Sequence, residues 1–255
     1  MLGSALVRLT RERRPSQTGG NARRGDQNSG GDRTAPPQLL RLKLLLRDVH
    51  PAVWRRVKLA DSLSIADLHR VIQLLMCWDD DHLHRFRVHG RDYGIAYVGG
   101  PSFDEDAAVV RLAQFGFRPT ERFPYEYDFT AGWQVEVRVE KVIEAALCES
   151  HLIPACLAVR EPGPPDGCGG PRAYAERRRD AVSWDMATDM HAVAAVLRRV
   201  ADGDDAVLAD PETFSDFKQA VSRLQSRQPF LAEAFPRTAT NAALRQAFTT
   251  VRGSR

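Results

Sequence analysis

Alternation of apolar and polar side chains begins abruptly at Leu39, where Leu40, Leu42, Leu44 and Leu46 are interleaved with Arg41 and Lys43. This is the period-two pattern of a strand with one buried face. After a turn at Asp48 to Pro51 the alternation resumes, with Val53, Val57 and Leu59 against Arg56 and Lys58, and it predicts an antiparallel partner. The period then changes. Ser64 followed by Asp67 reads as a capping box that opens a helix with the stripe Ile65, Leu68, Ile72, Leu75 and Met76. The helix is expected to stop near Trp78, because Asp79, Asp80 and Asp81 at its C-terminus would oppose the macrodipole.

A third strand is expected from His82 to His89, with a tight turn at Gly90 and a return over Arg91 to Tyr93. Residues 95–120 show no regular period. The clearest pattern follows: Phe123, Tyr125, Tyr127 and Phe129, a short turn at Thr130, Ala131 and Gly132, then Trp133, Val135, Val137 and Val139 opposite Gln134, Glu136, Arg138 and Glu140. This predicts a β-hairpin closed by a three-residue loop containing glycine. From Glu161 the chain is rich in Pro and Gly, which marks a long loop leaving the sheet. Beyond it the period is helical. Val193, Val196, Leu197 and Val200 form one stripe ending at Gly203; Asp210 and Pro211 open a second with Phe214, Phe217, Val221 and Leu224; Asn241 to Val251 is a weaker third. There is no internal repeat. The class expected is α+β: an antiparallel sheet with a packed helix, followed by a helical C-terminal extension.

Charge changes the picture at one end. Residues 1–33 carry seven Arg against Glu12, Asp26 and Asp32, so a chain of net charge +3 divides into a +4 tail and a body of −1. Residues 1–37 lack large apolar side chains after Leu9 and end in Pro36 and Pro37, a composition expected to remain disordered. The division expected is thus a tail over 1–37, an α+β domain over 38–180 and a helical extension over 181–255. The four cysteines, Cys77, Cys148, Cys156 and Cys168, form no Cys-x-x-Cys, and a chain of this length needs no disulfide staples, so a reducing cytoplasm is expected. Arg8 interrupts the apolar start, which makes a poor secretory signal. The apolar runs fall far short of the roughly 18 residues of a membrane-spanning helix.

Six short pieces carry a family resemblance: Pro51-Ala52-Val53-Trp54-Arg55-Arg56; Asp67 to Gln73; Trp78 with His82-Leu83-His84-Arg85-Phe86; Tyr93-Gly94; Tyr127-Asp128-Phe129 with Trp133; and Pro164-Pro165-Asp166 leading through Gly169-Gly170-Pro171 to Tyr174. In this order they resemble the plasmid Ri open-reading-frame-three-like family, whose members are also labelled insertion-element passenger proteins of TnpR type. The resemblance implies a compact α+β domain of bacterial genomes and mobile elements, with no established activity. The chain departs from the family at Thr130 to Gly132, at Val135 where a His is usual, and at Asp166-Gly167 in place of Glu-Asp.

Candidate chemistry is sparse. His82 and His84, two apart on an expected strand, would share a face, and with Asp128, Asp166 or Cys168 they form the candidate polar cluster for a divalent metal. The favoured reading makes them sheet-face histidines without a cofactor, since a metal site needs three or four convergent ligands. His69 is expected as a satisfied core histidine, Asp79 to Asp81 as a solvated loop, and Trp54, Trp78 and Trp133 as core packing. A serine-recombinase reading is rejected, because no Ser sits in a cluster with Arg and the C-terminal helices are not basic.

The reading adopted from sequence is a cytoplasmic binding or accessory module, leaning away from an enzyme. The sequence names no partner, although a protein would suit such a module and no membrane is expected. Two alternatives are kept: a metal-dependent hydrolase or nuclease using His82 and His84, and weak nucleic-acid binding through Arg11, Arg13, Arg14, Arg23 and Arg24 in the tail.

Overall fold

The computed structural model describes residues 38–96, 100–144, 153–231 and 235–249. The disorder expected over 1–37, with its five candidate arginines, lies outside the described residues. The alternating segments form one eight-stranded sheet: β1 (Gln38–Leu46), β2 (Trp54–Ala60), β3 (His84–Val88), β4 (Arg91–Gly94), β5 (Glu105–Asp106), β6 (Arg122–Tyr127), β7 (Trp133–Glu144) and β8 (Ala155–Arg160). Their order is β5-β4-β3-β6-β7-β1-β2-β8, antiparallel except for the short β4–β5 pair. With the helices that follow, this is the α+β class expected.

Helix α1 (Ile65–Met76) covers one face of the sheet. Its start is fixed by a reciprocal capping box: the Asp67 N–H donates to Ser64 Oγ at 3.0 Å, and the Ser64 N–H donates to Asp67 Oδ2 at 2.9 Å. It ends at Cys77 in the left-handed conformation, φ +60°. All five residues of the expected stripe are buried and belong to one apolar core with Leu40, Leu42, Leu44, Val57, Val137 and Val139 from the strands. At about 25 cal/mol per Å² of apolar surface removed from water, this layer is the main source of stability.

Helices α2 (Gly170–Ala181), α3 (Trp184–Ala201), α4 (Pro211–Arg227) and α5 (Arg237–Thr249) follow the last strand. Helix α5 packs on β8 and α1 and contributes Leu244 and Phe248 to the core. Its Asn241 side chain accepts a hydrogen bond from the Cys156 N–H at 2.7 Å and donates one to the Cys156 carbonyl at 3.1 Å.

Several expectations are corrected. The third strand starts at His84, because His82 sits in a bend before it. The Pro/Gly-rich segment holds the first turn of α2, which lacks an apolar stripe and buries little beyond Tyr174 and Ala181. Strand β8 was hidden by its irregular burial pattern. Trp78 and Trp133 are buried, but Trp54 is only half-buried, on the face of the sheet opposite α1. Leu197 and Phe214, expected on packing stripes, are about half exposed.

One charged side chain ties these layers together. Arg55 is fully buried, and its Nε donates to the Leu75 carbonyl in the last turn of α1 at 2.8 Å. Its Nη1 donates to the carbonyls of Trp54, Arg160 and Glu161 at 3.0, 3.1 and 2.8 Å. Burial pushes the guanidinium below its ordinary pKa; the Phe235 ring centroid lies 4.3 Å from it, and Nη2 has no hydrogen-bond partner among the described residues.

Candidate functional site

The inner face of α1 carries two polar side chains among its apolar stripe, His69 and Gln73, each 3% exposed. They stand one turn apart, so both reach the same point of the sheet. That point is Tyr125 on β6, completely buried. Its hydroxyl lies 2.8 Å from His69 Nδ1 and accepts from Gln73 Nε2 at 2.8 Å. The other ring nitrogen, His69 Nε2, lies 2.5 Å from Asp80 Oδ1. An ionised carboxylate only accepts, so His69 Nε2 carries a proton and donates it to Asp80. The result is a chain running Asp80, His69, Tyr125, Gln73.

His84, the first residue of β3, is stacked on His69 with ring centroids 3.5 Å apart and planes 10° from parallel. His69, Asp80 and His84 each place a ligand atom within 4.8 Å of the others. His84 is 5% exposed, and its Nε2 has no hydrogen-bond partner among the described residues; neither has Gln73 Oε1. Burial, reinforced by His69, pushes the His84 imidazole down to about 3, so it is neutral at pH 7. Burial raises Asp80, but the hydrogen bond and charge of His69, with His84 and Arg70, outweigh it and hold the carboxyl below its ordinary range. Tyr125 is pushed well above its ordinary value by burial. Asp80 is half exposed and forms the solvent side of the centre.

The residues expected as a cluster are distributed differently. His84 is in the centre, but its partner there is His69 and not His82. The His82 side chain is 41% exposed, and its Nε2 lies 3.8 Å from Asp128 Oδ2. Asp128, at φ +50°, uses its other oxygen to accept from the Thr130 and Ala131 N–H groups at 3.1 Å each, which shapes the β6–β7 turn. Asp166 accepts from the Tyr127 hydroxyl at 2.9 Å and the Asp79 N–H at 2.8 Å, latching the Pro-rich segment to the end of α1. Cys168 is buried, with its thiol pushed up by burial, and it belongs to the apolar core. His69 has both nitrogens partnered, as a core histidine must, while Asp80 does more than a solvated loop acid. The signal for this centre was a pair of polar residues at i and i+4 on a buried helix face, which apolar packing alone does not account for.

An α+β protein with one antiparallel-dominated sheet and a His–His–Asp–Tyr centre, open to solvent at Asp80, is thus defined. The model of the plasmid pRiA4b ORF-3-like protein family matches residues 38–215, and the chain belongs to that family. It is 28% identical over 171 residues to the uncharacterized protein y4hQ of Sinorhizobium fredii (strain NBRC 101917 / NGR234), covering 62% of this chain and 86% of that one. It is also similar to the crystal structure of MM3350, a protein of unknown function from Methanosarcina mazei Go1: 27% identity over 56% of this chain and 80% of that chain, with a TM-score of 0.47. Among the described residues, no helix is long and apolar enough to cross a membrane.

Proposed function

We propose that this chain is a cytoplasmic accessory module of a mobile-element-associated family, and that its centre at His69, Asp80 and His84 binds a divalent transition metal. The module comprises the α+β domain of 38–180 and the helical extension of 181–255. The observation that carries the metal reading is the 95% buried His84, whose Nε2 has no hydrogen-bond partner among the described residues and whose ring lies with two other ligand groups inside 4.8 Å. Two imidazoles and a carboxylate suit zinc and its neighbours better than calcium or magnesium.

An ion held by His69 Nε2, Asp80 and His84 leaves the remaining His69 ring proton on Nδ1, against the Tyr125 hydroxyl, and protonation of the ligands competes with it, so binding weakens as pH falls. Parallel rings cannot both aim in-plane lone pairs at one ion, so coordination splays the His69–His84 stack. Tyr125 and Gln73 then hold His69 from behind, as outer-shell partners of metal-bound histidines do. The one hydroxyl in the centre is fully buried and far from ionising, which supports binding over catalysis.

The test is metal content and thermal shift. Protein prepared without chelator and dialysed against Zn²⁺ should retain one equivalent, and its thermal midpoint should rise with Zn²⁺. The stabilisation follows RT ln(1 + [L]/Kd), about 2.7 kcal/mol at a hundredfold excess over Kd. The Asp80→Ala, His84→Gln double variant should lose both effects. Sub-stoichiometric metal with an unmoved midpoint, or full binding by the double variant, would overturn the proposal.

A further inference from the structure

The face of the sheet opposite α1 presents a second feature, independent of the metal reading. The registers Arg122↔Arg138, Lys43↔Arg138 and Lys43↔Arg56 place four cations side by side in one row across β6, β7, β1 and β2. A neighbouring row sets Lys141, Arg41 and Lys58 opposite one another across β7, β1 and β2. Like charges directly opposite on neighbouring strands destabilise a sheet, and opposite charges there would stabilise it. These rows therefore run against what folding alone favours.

Composition sharpens the point. The chain has only four lysines, and three of them, Lys43, Lys58 and Lys141, stand in these two rows. Two carboxylates on this part of the face are each shared between cations. Glu140 serves both Arg41 at 3.0 Å and Arg56 at 2.7 Å, and Glu136 is shared by Arg122 at 3.3 Å and Arg47 at 3.4 Å. Arg138, in the middle of the first row, keeps a buried Nε without a hydrogen-bond partner among the described residues. The next position along β1 and β2 is the pair Leu45↔Trp54, and the half-buried Trp54 ring has Lys43 Nζ 5.2 Å and the Arg56 guanidinium 5.5 Å from its centroid.

A cationic track with an aromatic ring beside it is the arrangement that holds single-stranded nucleic acid: phosphates follow the charges, and a base stacks on the ring. We propose that this sheet face binds single-stranded nucleic acid, with the backbone along Arg122, Arg138, Lys43 and Arg56 and a base on Trp54. Strands about 4.8 Å apart spread the four cations over about 14 Å. A row of cations across four strands of a sheet suits a flexible strand, whereas reading a duplex calls for an element that enters a groove.

The experiment is fluorescence anisotropy of the full chain with labelled oligonucleotides of about 12 mixed-sequence nucleotides, as DNA and as RNA, over a salt series. Four phosphate contacts predict a slope of log K against log salt near −3, at about −0.7 per contact for single strands. The two sugars should bind alike, since the recognised parts are common to both. Lys43→Gln with Arg138→Gln should weaken binding at least tenfold and flatten the slope to about half. The same double variant should melt no lower than the parent, because it relieves like-charge pairs. Trp54→Ala should cost fivefold or more in affinity and leave the slope unchanged. Binding unaffected by these variants would overturn the proposal. So would a duplex of the same sequence binding as tightly, a more than tenfold preference for one sugar, or tighter binding to vesicles of anionic lipid.

Discussion

The imidazoles of His69, on a helix, and His84, on a strand, lie face to face with centroids 3.5 Å apart. Two protonated rings cannot share such a stack, so the contact requires that one stay neutral. His84 is that ring: burial and the neighbouring His69 lower it from 6.5 to about 3. Because the folded value lies below the unfolded one, the unfolded chain takes up the proton first as pH falls. Stability is therefore independent of this group above about pH 7.5 and is lost progressively from about 6.5 towards 3, by at most about 1.4 kcal/mol per pH unit. Urea unfolding at pH 7.5, 5.5 and 4.5 measures the slope, and His84→Gln should flatten it relative to the parent. Parallel slopes in the two proteins would show that His84 already titrates normally.

The buried cation is the second test. Arg55 spans four carbonyls from three segments, and an ammonium on a flexible stem cannot reproduce the guanidinium fork. Arg55→Lys should cost about 2–5 kcal/mol, since carbonyls in the core lose their donor and a charge is left poorly satisfied. Denaturant midpoints decide it, and a cost under 1 kcal/mol would mean that water already enters this cage.

Glycines separate two kinds of constraint. Gly170 has φ +90°, and a Cβ there would overlap the Ala131 carbonyl oxygen in the β6–β7 turn, whereas Gly90, at φ +81°, has open space around it. Gly90→Ala should therefore cost only its backbone strain, about 1 kcal/mol, and Gly170→Ala clearly more, about 2 kcal/mol or above. Thermal melts of the two variants compare them directly, and equal costs would mean that the turn yields to the start of α2.

The two faces of β7 give the fourth comparison. Val137 is wholly buried against the core, while Arg138 stands among like charges on the other face. Val137→Ala should cost about 1–3 kcal/mol, and Arg138→Ala less than about 0.5, with a gain in stability at low salt. A comparable loss at both positions would mean that the outer face is covered.

Most of the sheet was legible because alternation is a local signal: Leu40 to Leu46, Val53 to Leu59 and the hairpin arms Phe123 to Tyr127 and Trp133 to Val139 announce their burial. Phe129, expected on the buried side, is instead 38% exposed, in a connection over 128–132 that is longer than the three-residue loop expected. Helix α1 announced itself through Ser64, Asp67 and its stripe. What escaped is what depends on distance along the chain. Asp80 looks like one of three solvated acids until the fold brings His69 over it, and the 56-residue separation of His69 and Tyr125 has no local trace. Helix α2 escaped for a different reason, since only Gly170, Tyr174 and Ala181 are buried and no period marks it. The cation rows were equally invisible, because a register decides which charges stand opposite one another, and here a register shift between Arg41 and Leu42 helps to set it.

Asn241 acts at the outer edge of the sheet. By offering one acceptor and one donor to the two peptide groups of Cys156, its carboxamide imitates a single residue of a ninth strand. An edge strand otherwise displays unpaired N–H and C=O groups that template pairing with another chain. With Arg237, which donates to the Leu157 carbonyl at 3.1 Å, Asn241 lets side chains of α5 occupy backbone groups that a further strand would need, so the last helix blunts the β8 edge as well as covering the core.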